Sequence, residues 1–428
     1  MKPLFIISCP IDTYSGYGAR SRDIVKALIE LDKFDIKVLP QKWGNTPWGF
    51  IQDHWDEWGF LFPHLLPATN QLPKKPEIWA QITVPNEFQP VGHYNIGITA
   101  GIETTIVSHE WVEGVNRMDL NLVSSNHAKD VFLNSKFQNQ DPKTGKNSSL
   151  LEVSKPIEVL FEGANLDVYF PKTSTFDLDQ VEESFAYLFV GHWMEGVIGE
   201  DRKNVGKLLE CFFNTFKNKK KTPALILKTS GAGCSYMDRE TILDKIHQVK
   251  SVIKGAKTLP NVYLIHGELT DREMNELYNH KKVKAMVSLT KGEGFGRPLL
   301  EFSLTKKPIL TTNWSGHTDF LNPEFTTLIS SGQLTPVHPS ASNKFLLPNS
   351  EWFSANPKEV NYYLDHMFKI YAHYKEKANR QAFKSKSEFS FKLMKDKLEA
   401  YLNNALPKFA SQIELELPQL DLNQLENA

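Results

Sequence analysis

The chain has 428 residues, of which 41% are hydrophobic and 23% charged, and its formal net charge is −1; that is ordinary soluble globular composition and excludes a fibrous or intrinsically disordered protein. The length exceeds what one core usually serves, so two domains of roughly 150 to 200 residues are expected. No stretch approaches the roughly 18 apolar residues of a membrane span, and three widely spaced cysteines, Cys9, Cys211 and Cys234, argue against a disulfide framework or a zinc site and fit a reducing cytoplasm.

In chain order, the apolar run at 4–8 reads as a buried first strand, since it passes into a polar Gly-rich turn with no small-residue cleavage site of the signal-peptide kind. A helix at 19–31 carries Ile24, Ala27, Leu28 and Leu31 at helical spacing. Further strands are expected at 35–39, 78–84, 96–102, 120–124 and 157–161. Between the second and third of these lies an aromatic-rich segment with Trp43, Trp48, Phe50, Trp55, Trp58, Phe60 and Phe62, able to stack sugars or bases or to form a satellite core, with the core reading preferred. A polar stretch at 171–184 reads as a linker. Strands then recur at 187–190, 224–228, 262–266, 285–289 and 309–312, with helices at 205–216, 238–253, 271–279 and 298–304. Strand–helix alternation of this kind builds parallel sheets covered on both faces. The predicted division is therefore a Rossmann-like domain at 1–170, the linker, a second at 185–355, helices at 356–406 and an acidic tail at 407–428. The chain before about residue 165 is net acidic and the remainder net basic, which suits an anionic ligand on the second half or merely solvated lysines.

The sharpest local feature is Gly292-Glu293-Gly294-Phe295-Gly296-Arg297-Pro298-Leu299-Leu300-Glu301, between a strand and a helix. Glycines let backbone amides approach a ligand closely, Pro suits a first helical position, and carboxylates accept hydrogen bonds from paired sugar hydroxyls. This segment resembles the Glu-x7-Glu motif of retaining GT-B glycosyltransferases of family 4, also called group 1. Other pieces agree in order over roughly residues 3 to 320. Val123-Ser124-Ser125-Asn126 with Ala128 resembles the strand-Ser-helix signature, and Val159 to Asp167 with Phe170-Pro171 resembles the domain-crossing segment. Val190-Gly191 followed by Arg202-Lys203-Asn204 and Leu208-Leu209 resembles the phosphate loop, and Ile265 to Leu269 with Glu276-Leu277-Tyr278 the base-binding strand and helix.

The resemblance implies a GT-B architecture: two doubly wound domains facing a cleft, with C-terminal helices crossing back to the first. It implies a nucleotide-sugar donor, retention at the anomeric carbon, and neither metal nor cofactor. Glu301 is then expected on the donor ribose, Glu293 on the transferred sugar, the amides of Phe295 and Gly296 on sugar or phosphate oxygens, and Lys203, beside Arg202, on the diphosphate. Gly16 and Gly18 match a Gly-rich loop reaching the phosphates from the first domain. Two departures stand out. His192 occupies the place of an Arg, so the missing charge is expected from Arg297 or His192; and Glu103 stands where relatives have a His facing the reacting sugar, with His109 a poorer second. Closure about the linker and a crossing near 352–357 is expected on donor binding.

Rival readings remain open. Gly16-x-Gly18 with Asp35 some 20 residues on imitates a dinucleotide-oxidoreductase fingerprint, although Ser21 replaces its third glycine. The His192 departure also fits an inactive sugar-nucleotide binding module. Asp177 and Asp179 imitate a metal-binding pair but lie in the linker. For the acceptor, a carbohydrate or small hydroxyl compound ranks first. Hydroxymethylated DNA ranks second, supported by the aromatic segment and by Lys129, Lys136, Lys143 and Lys146 and opposed by the acidic first half, while Arg20, Arg22 and Lys26 fit an anionic acceptor or a solvated helix face.

Overall fold

The computed structural model describes residues 2–67, 72, 74–140, 147–194, 196–231, 233–343 and 345–409; the tail from 410, Lys143 and Lys146 lie outside them. The first half runs β1 (Leu4–Cys9), α1 (Gly16–Leu31), β2 (Asp35–Pro40), α2 (Phe50–Asp53), α3 (Trp55–Trp58), β3 (Ile78–Ile82), β4 (Tyr94–Thr99), α4 (His109–Asn116), β5 (Leu120–Val123), α5 (Asn126–Asn134), β6 (Phe137–Gln140), β7 (Asn147–Leu151) and β8 (Ile157–Val159). The second runs β9 (Ala186–Val190), α6 (Val205–Phe216), β10 (Ala224–Lys228), α7 (Tyr236–Ser251), β11 (Val262–Ile265), α8 (Asp271–Asn279), β12 (Val283–Ser288), α9 (Arg297–Ser303), β13 (Ile309–Thr312), β14 (Thr327–Ile329), β15 (Gly332–Pro336), β16 (Glu351–Ala355), α10 (Pro357–Lys369), α11 (Tyr371–Glu388) and α12 (Phe391–Ala405).

Each half carries a six-stranded parallel sheet, ordered β2-β1-β3-β4-β5-β8 and β11-β10-β9-β12-β13-β14. Strands buried on both faces need continuous apolar runs, and β1, Leu-Phe-Ile-Ile-Ser-Cys, is buried at every position. The second order is the doubly wound Rossmann arrangement. Helix α1 begins three residues before the expected start because Ser15 caps it, accepting from the Gly18 amide at 2.9 Å. Two antiparallel pairs, β6–β7 and β15–β16, had no clear periodic signal.

The 171–184 stretch carries neither helix nor strand and is fastened to the second half. Its Thr175 amide donates to Glu276, and Lys282 reaches the Leu178 and Val181 carbonyls. Asp177 accepts from the Asp179 amide at 2.9 Å, a local turn contact. The return crossing differs from expectation. Near 352–357 the chain touches the first half, through Thr105 and Glu351, but α10 then packs on α6 of the second half. The crossing itself comes at 389–391, where the Ala164 amide donates to the Phe389 carbonyl and the Phe391 amide to the Ala164 carbonyl. From there α12 lies along α1, joined by Lys395–Glu30 and Lys33–Glu399 ion pairs. Among the described residues no helix is long and apolar enough to cross a membrane.

Candidate active site

In the second sheet β9 and β12 are neighbours, but α6 after β9 packs on one face and α9 after β12 on the other. Such a reversal opens a crevice at the carboxyl ends of the strands, where doubly wound folds bind ligands. The two loops leaving this point carry most of the expected site, and a hydrogen bond from the Lys291 amide to the Arg202 carbonyl ties them together at 2.8 Å.

Glu293 is 7% exposed. Its Oε1 meets Lys203 Nζ at 2.6 Å, its Oε2 meets Arg202 Nη1 at 3.0 Å, and its amide donates to Ser315 Oγ at 2.7 Å. Burial pushes its pKa up, but the charges of Lys203 and Arg202 outweigh burial and hold it at about 2. Arg202 also donates to the Gly292 carbonyl at 2.9 Å and reaches across to Glu103 in the first half, Nε to Oε1, at 3.3 Å. Glu103 is thus gathered into the cluster. His109 is not: it opens α4, exposed, with its ring against Phe137.

Glu301 forms a second buried cluster. Its Oε1 accepts from Arg297 Nε at 2.8 Å and its Oε2 from the Tyr278 hydroxyl at 3.4 Å. Burial, opposed by Arg297 and reinforced by Asp271, raises its pKa to about 7. Arg297 also grips Asp23 of α1 across the cleft. Two carboxylates, Asp23 and Glu301, thus share the Arg297 guanidinium. His192 faces Ser230 Oγ at 3.2 Å, and burial followed by the Lys203 charge lowers its pKa. The cation beside Lys203 is Arg202.

Gly296 adopts φ 95°, a left-handed conformation that disfavours other residues, and turns the chain into α9, which starts at Arg297 with Pro298 second. The Phe295 ring is core, packed on Phe320. The amides of Phe295 and Gly296 donate to no acceptor among the described residues. In the first half Gly18 is required by packing, since a Cβ there would lie 2.3 Å from the Thr13 carbonyl, whereas one on Gly16 would meet nothing within 4 Å.

Arg20 and Arg22 neither coat a solvated face nor offer charge to a ligand. Arg20 donates to the carbonyls of Phe161 and Leu160, and Arg22 to those of Ile11 and Thr13, its guanidinium 3.4 Å from the Phe50 ring centroid. Lys129 pairs with Glu158 and Lys136 with Glu152. The aromatic segment divides: Trp58 joins the core, Trp48, Trp55, Phe60 and Phe62 are exposed, and Trp43 stacks on Tyr17. An apolar groove of about 490 Å³, lined by Phe170, Leu304 and Phe383 among others, shares no residue with either carboxylate cluster. Sequence reading missed Asp23 and Ser315, and placed Tyr278 on the base-binding helix without its contact to Glu301, because nothing local marks a residue whose partner arrives from a distant element.

No sequence-family profile matches the chain, and no curated protein matches its sequence. Solved structures match its fold. A glycosyltransferase from Rickettsia africae ESF-5 superposes with a TM-score of 0.60 at 15% identity, covering 94% of this chain and 98% of that one. HepE from Anabaena, in complex with UDP and glucose, gives 0.58 at 12%, covering 94% and 100%. The sucrose-phosphate synthase of Thermosynechococcus elongatus gives 0.57 at 10%, covering 94% and 99%. The fold is GT-B. In this GT-B chain the carboxylate clusters lie at the β9/β12 switch point, against α1 and the β4–α4 loop of the other domain.

Proposed function

We propose that the protein is a retaining glycosyltransferase that moves a sugar from a nucleoside-diphosphate sugar to an acceptor hydroxyl. One observation carries the reading: Lys203 and Arg202 converge on the buried Glu293 at the switch point, and Arg202 also reaches Glu103 of the first domain. A diphosphate entering there would exchange carboxylate for phosphate on the two cations, and Glu293 would turn to the hydroxyls of the transferred sugar. The free amides of Phe295 and Gly296 support oxygen contacts beside it, and Gly16 leaves room for phosphate from the other side. Glu301 is proposed to hold the ribose.

As the bond from the anomeric carbon to phosphate breaks, charge grows on the leaving diphosphate, and donors already aimed at it stabilise the transition state. The acceptor oxygen bonds to the anomeric carbon on the departing face and gives its proton to the phosphate oxygen, so configuration is retained. The cross-cleft pairs Arg202–Glu103 and Arg297–Asp23 support closure during transfer, which excludes water. The proposed reaction calls on no metal, and turnover is expected to persist in EDTA. The deciding experiment is a screen of uridine, guanosine and adenosine diphosphate sugars for nucleoside diphosphate release, with wild type and Glu301→Ala in parallel. Equal turnover by both would remove the ribose role, and binding without any release would leave an inactive module. A nicotinamide enzyme is disfavoured by Asp35, which opens β2 and so lies at the strand end away from the cleft.

A further inference from the structure

One member of the aromatic segment stands apart from the rest. Trp43 follows β2 at its carboxyl end, in a turn where the Thr46 amide and hydroxyl both donate to the Trp43 carbonyl, at 3.0 and 2.6 Å. The start of that loop is tied to β1: the Gln41 amide donates to the Cys9 carbonyl at 2.9 Å, and its side chain to Ser8 Oγ at 2.5 Å. The indole is half-buried and stacks on the Tyr17 ring, centroids 3.9 Å apart and planes 20° apart. Its N–H makes no hydrogen bond among the described residues.

Tyr17 links this stack to the site. Its hydroxyl shares a hydrogen bond with Thr99 Oγ1 at 2.9 Å and accepts from the Ala100 amide at 3.1 Å. The Ala100 carbonyl in turn lies 2.9 Å from where a Cβ on Gly294 would sit, in the loop proposed to hold the transferred sugar. Three residues beyond Ala100, Glu103 meets Arg202. The exposed Trp48 and Trp55 have no such connection; Trp55 packs its ring on Gly59 instead.

We infer that Trp43, propped by Tyr17 beside the Gly294 loop, is the platform on which a pyranose ring of the acceptor lies. This deepens the proposed function and rests on it for the position of the donor. A flat aromatic face covers the C–H face of a sugar while polar groups take its hydroxyls, and Thr99 stands against this stack through the Tyr17 hydroxyl. Against a phosphate-rich acceptor, Lys129 and Lys136 of the first domain are already paired with glutamates.

The test is saturation-transfer NMR of methyl pyranosides (gluco, galacto and manno) against wild type, Trp43→Ala, Trp43→Phe and the control Trp55→Ala. Wild type and Trp55→Ala are expected to saturate ring C–H protons equally. Trp43→Ala should weaken binding at least about tenfold, and Trp43→Phe should restore most of it. Protection of Trp43→Ala by a nucleoside diphosphate in thermal unfolding should match wild type, separating acceptor from donor. The inference is overturned if no methyl pyranoside binds wild type, if Trp43→Ala binds them unchanged, or if a 5-hydroxymethylcytosine oligonucleotide is the probe lost in Trp43→Ala. Trp43-dependent pyranoside binding without binding of any nucleotide sugar would instead sink the glycosyltransferase reading and leave the platform standing.

Discussion

The two domains treat their buried cations in opposite ways. In the first, Arg20 and Arg22 end on backbone carbonyls, tying α1 to the domain-crossing segment and to the turn after β1. In the second, Lys203, Arg202 and Arg297 end on carboxylates. A carbonyl partner is fixed in the chain, so those arginines hold structure. A carboxylate partner can be replaced by another anion at small cost, so the second set is poised for exchange with a ligand. Position decides which cations can serve: all five are basic residues in loops or in the first two turns of a helix, and only those at the β9/β12 crevice face exchangeable acids.

The comparison can be broken most directly at Lys203. Lys203→Ala should lower kcat for nucleoside diphosphate release about 10²- to 10³-fold, as loss of a donor to a developing oxyanion does, and should lower the melting temperature less than Arg20→Met because Glu293 keeps Arg202 as a partner. Arg20→Met should do the reverse, costing about 2–3 kcal/mol in chemical denaturation because buried carbonyls lose charged donors. Equal stability losses in both would erase the distinction. Next in size, Glu301→Ala should raise the donor KM about 10- to 100-fold, the worth of hydrogen bonds to a charged group.

A pH profile sharpens the role of Arg297. The Glu301 pKa is raised to about 7 by burial, while the Arg297 charge pulls it down. A ribose diol needs the ionised form, so kcat/KM for the donor should fall below an acid limb near pH 7, since this ratio reports groups of the free enzyme. Arg297→Met removes the cation that favours ionisation and should move that limb to higher pH. A limb that stays in place would deny the coupling. The same shift sets a stability trend: between the ordinary value of 4.5 and about 7 the folded protein holds a proton that the unfolded chain has lost, so this group's contribution falls as pH rises through that window.

The smallest effects should come from the early turn. Gly16→Ala has room in the fold and should leave stability unchanged or raise it by about 0.4–1 kcal/mol, while weakening donor affinity. Gly18→Ala meets the Thr13 carbonyl and should cost about 1–3 kcal/mol. Parallel denaturation curves for the two would remove the division of labour between them.

Much of this was legible in the sequence where the signal is local. The bounds of α6, α8, β10 and β13 follow from unbroken periodicity and from caps such as Thr270 with Glu273, the capping box that opens α8. Trp43 illustrates the limit, since seven aromatics in one segment look alike until the fold turns one onto Tyr17.

By itself, the sequence determined two parallel-sheet halves, the strand-to-helix loop with its paired glutamates, and the switch-point basic pair, because each depends on residues close together in the chain. Only the tertiary structure decided that Arg297 is held by Asp23 and Glu301, that Arg20 and Arg22 turn inward, and that Glu103 closes on Arg202. Those outcomes depend on which carboxylate or carbonyl a distant element brings within hydrogen-bond reach, and a charge buried without such a partner is too costly for the fold to leave to chance.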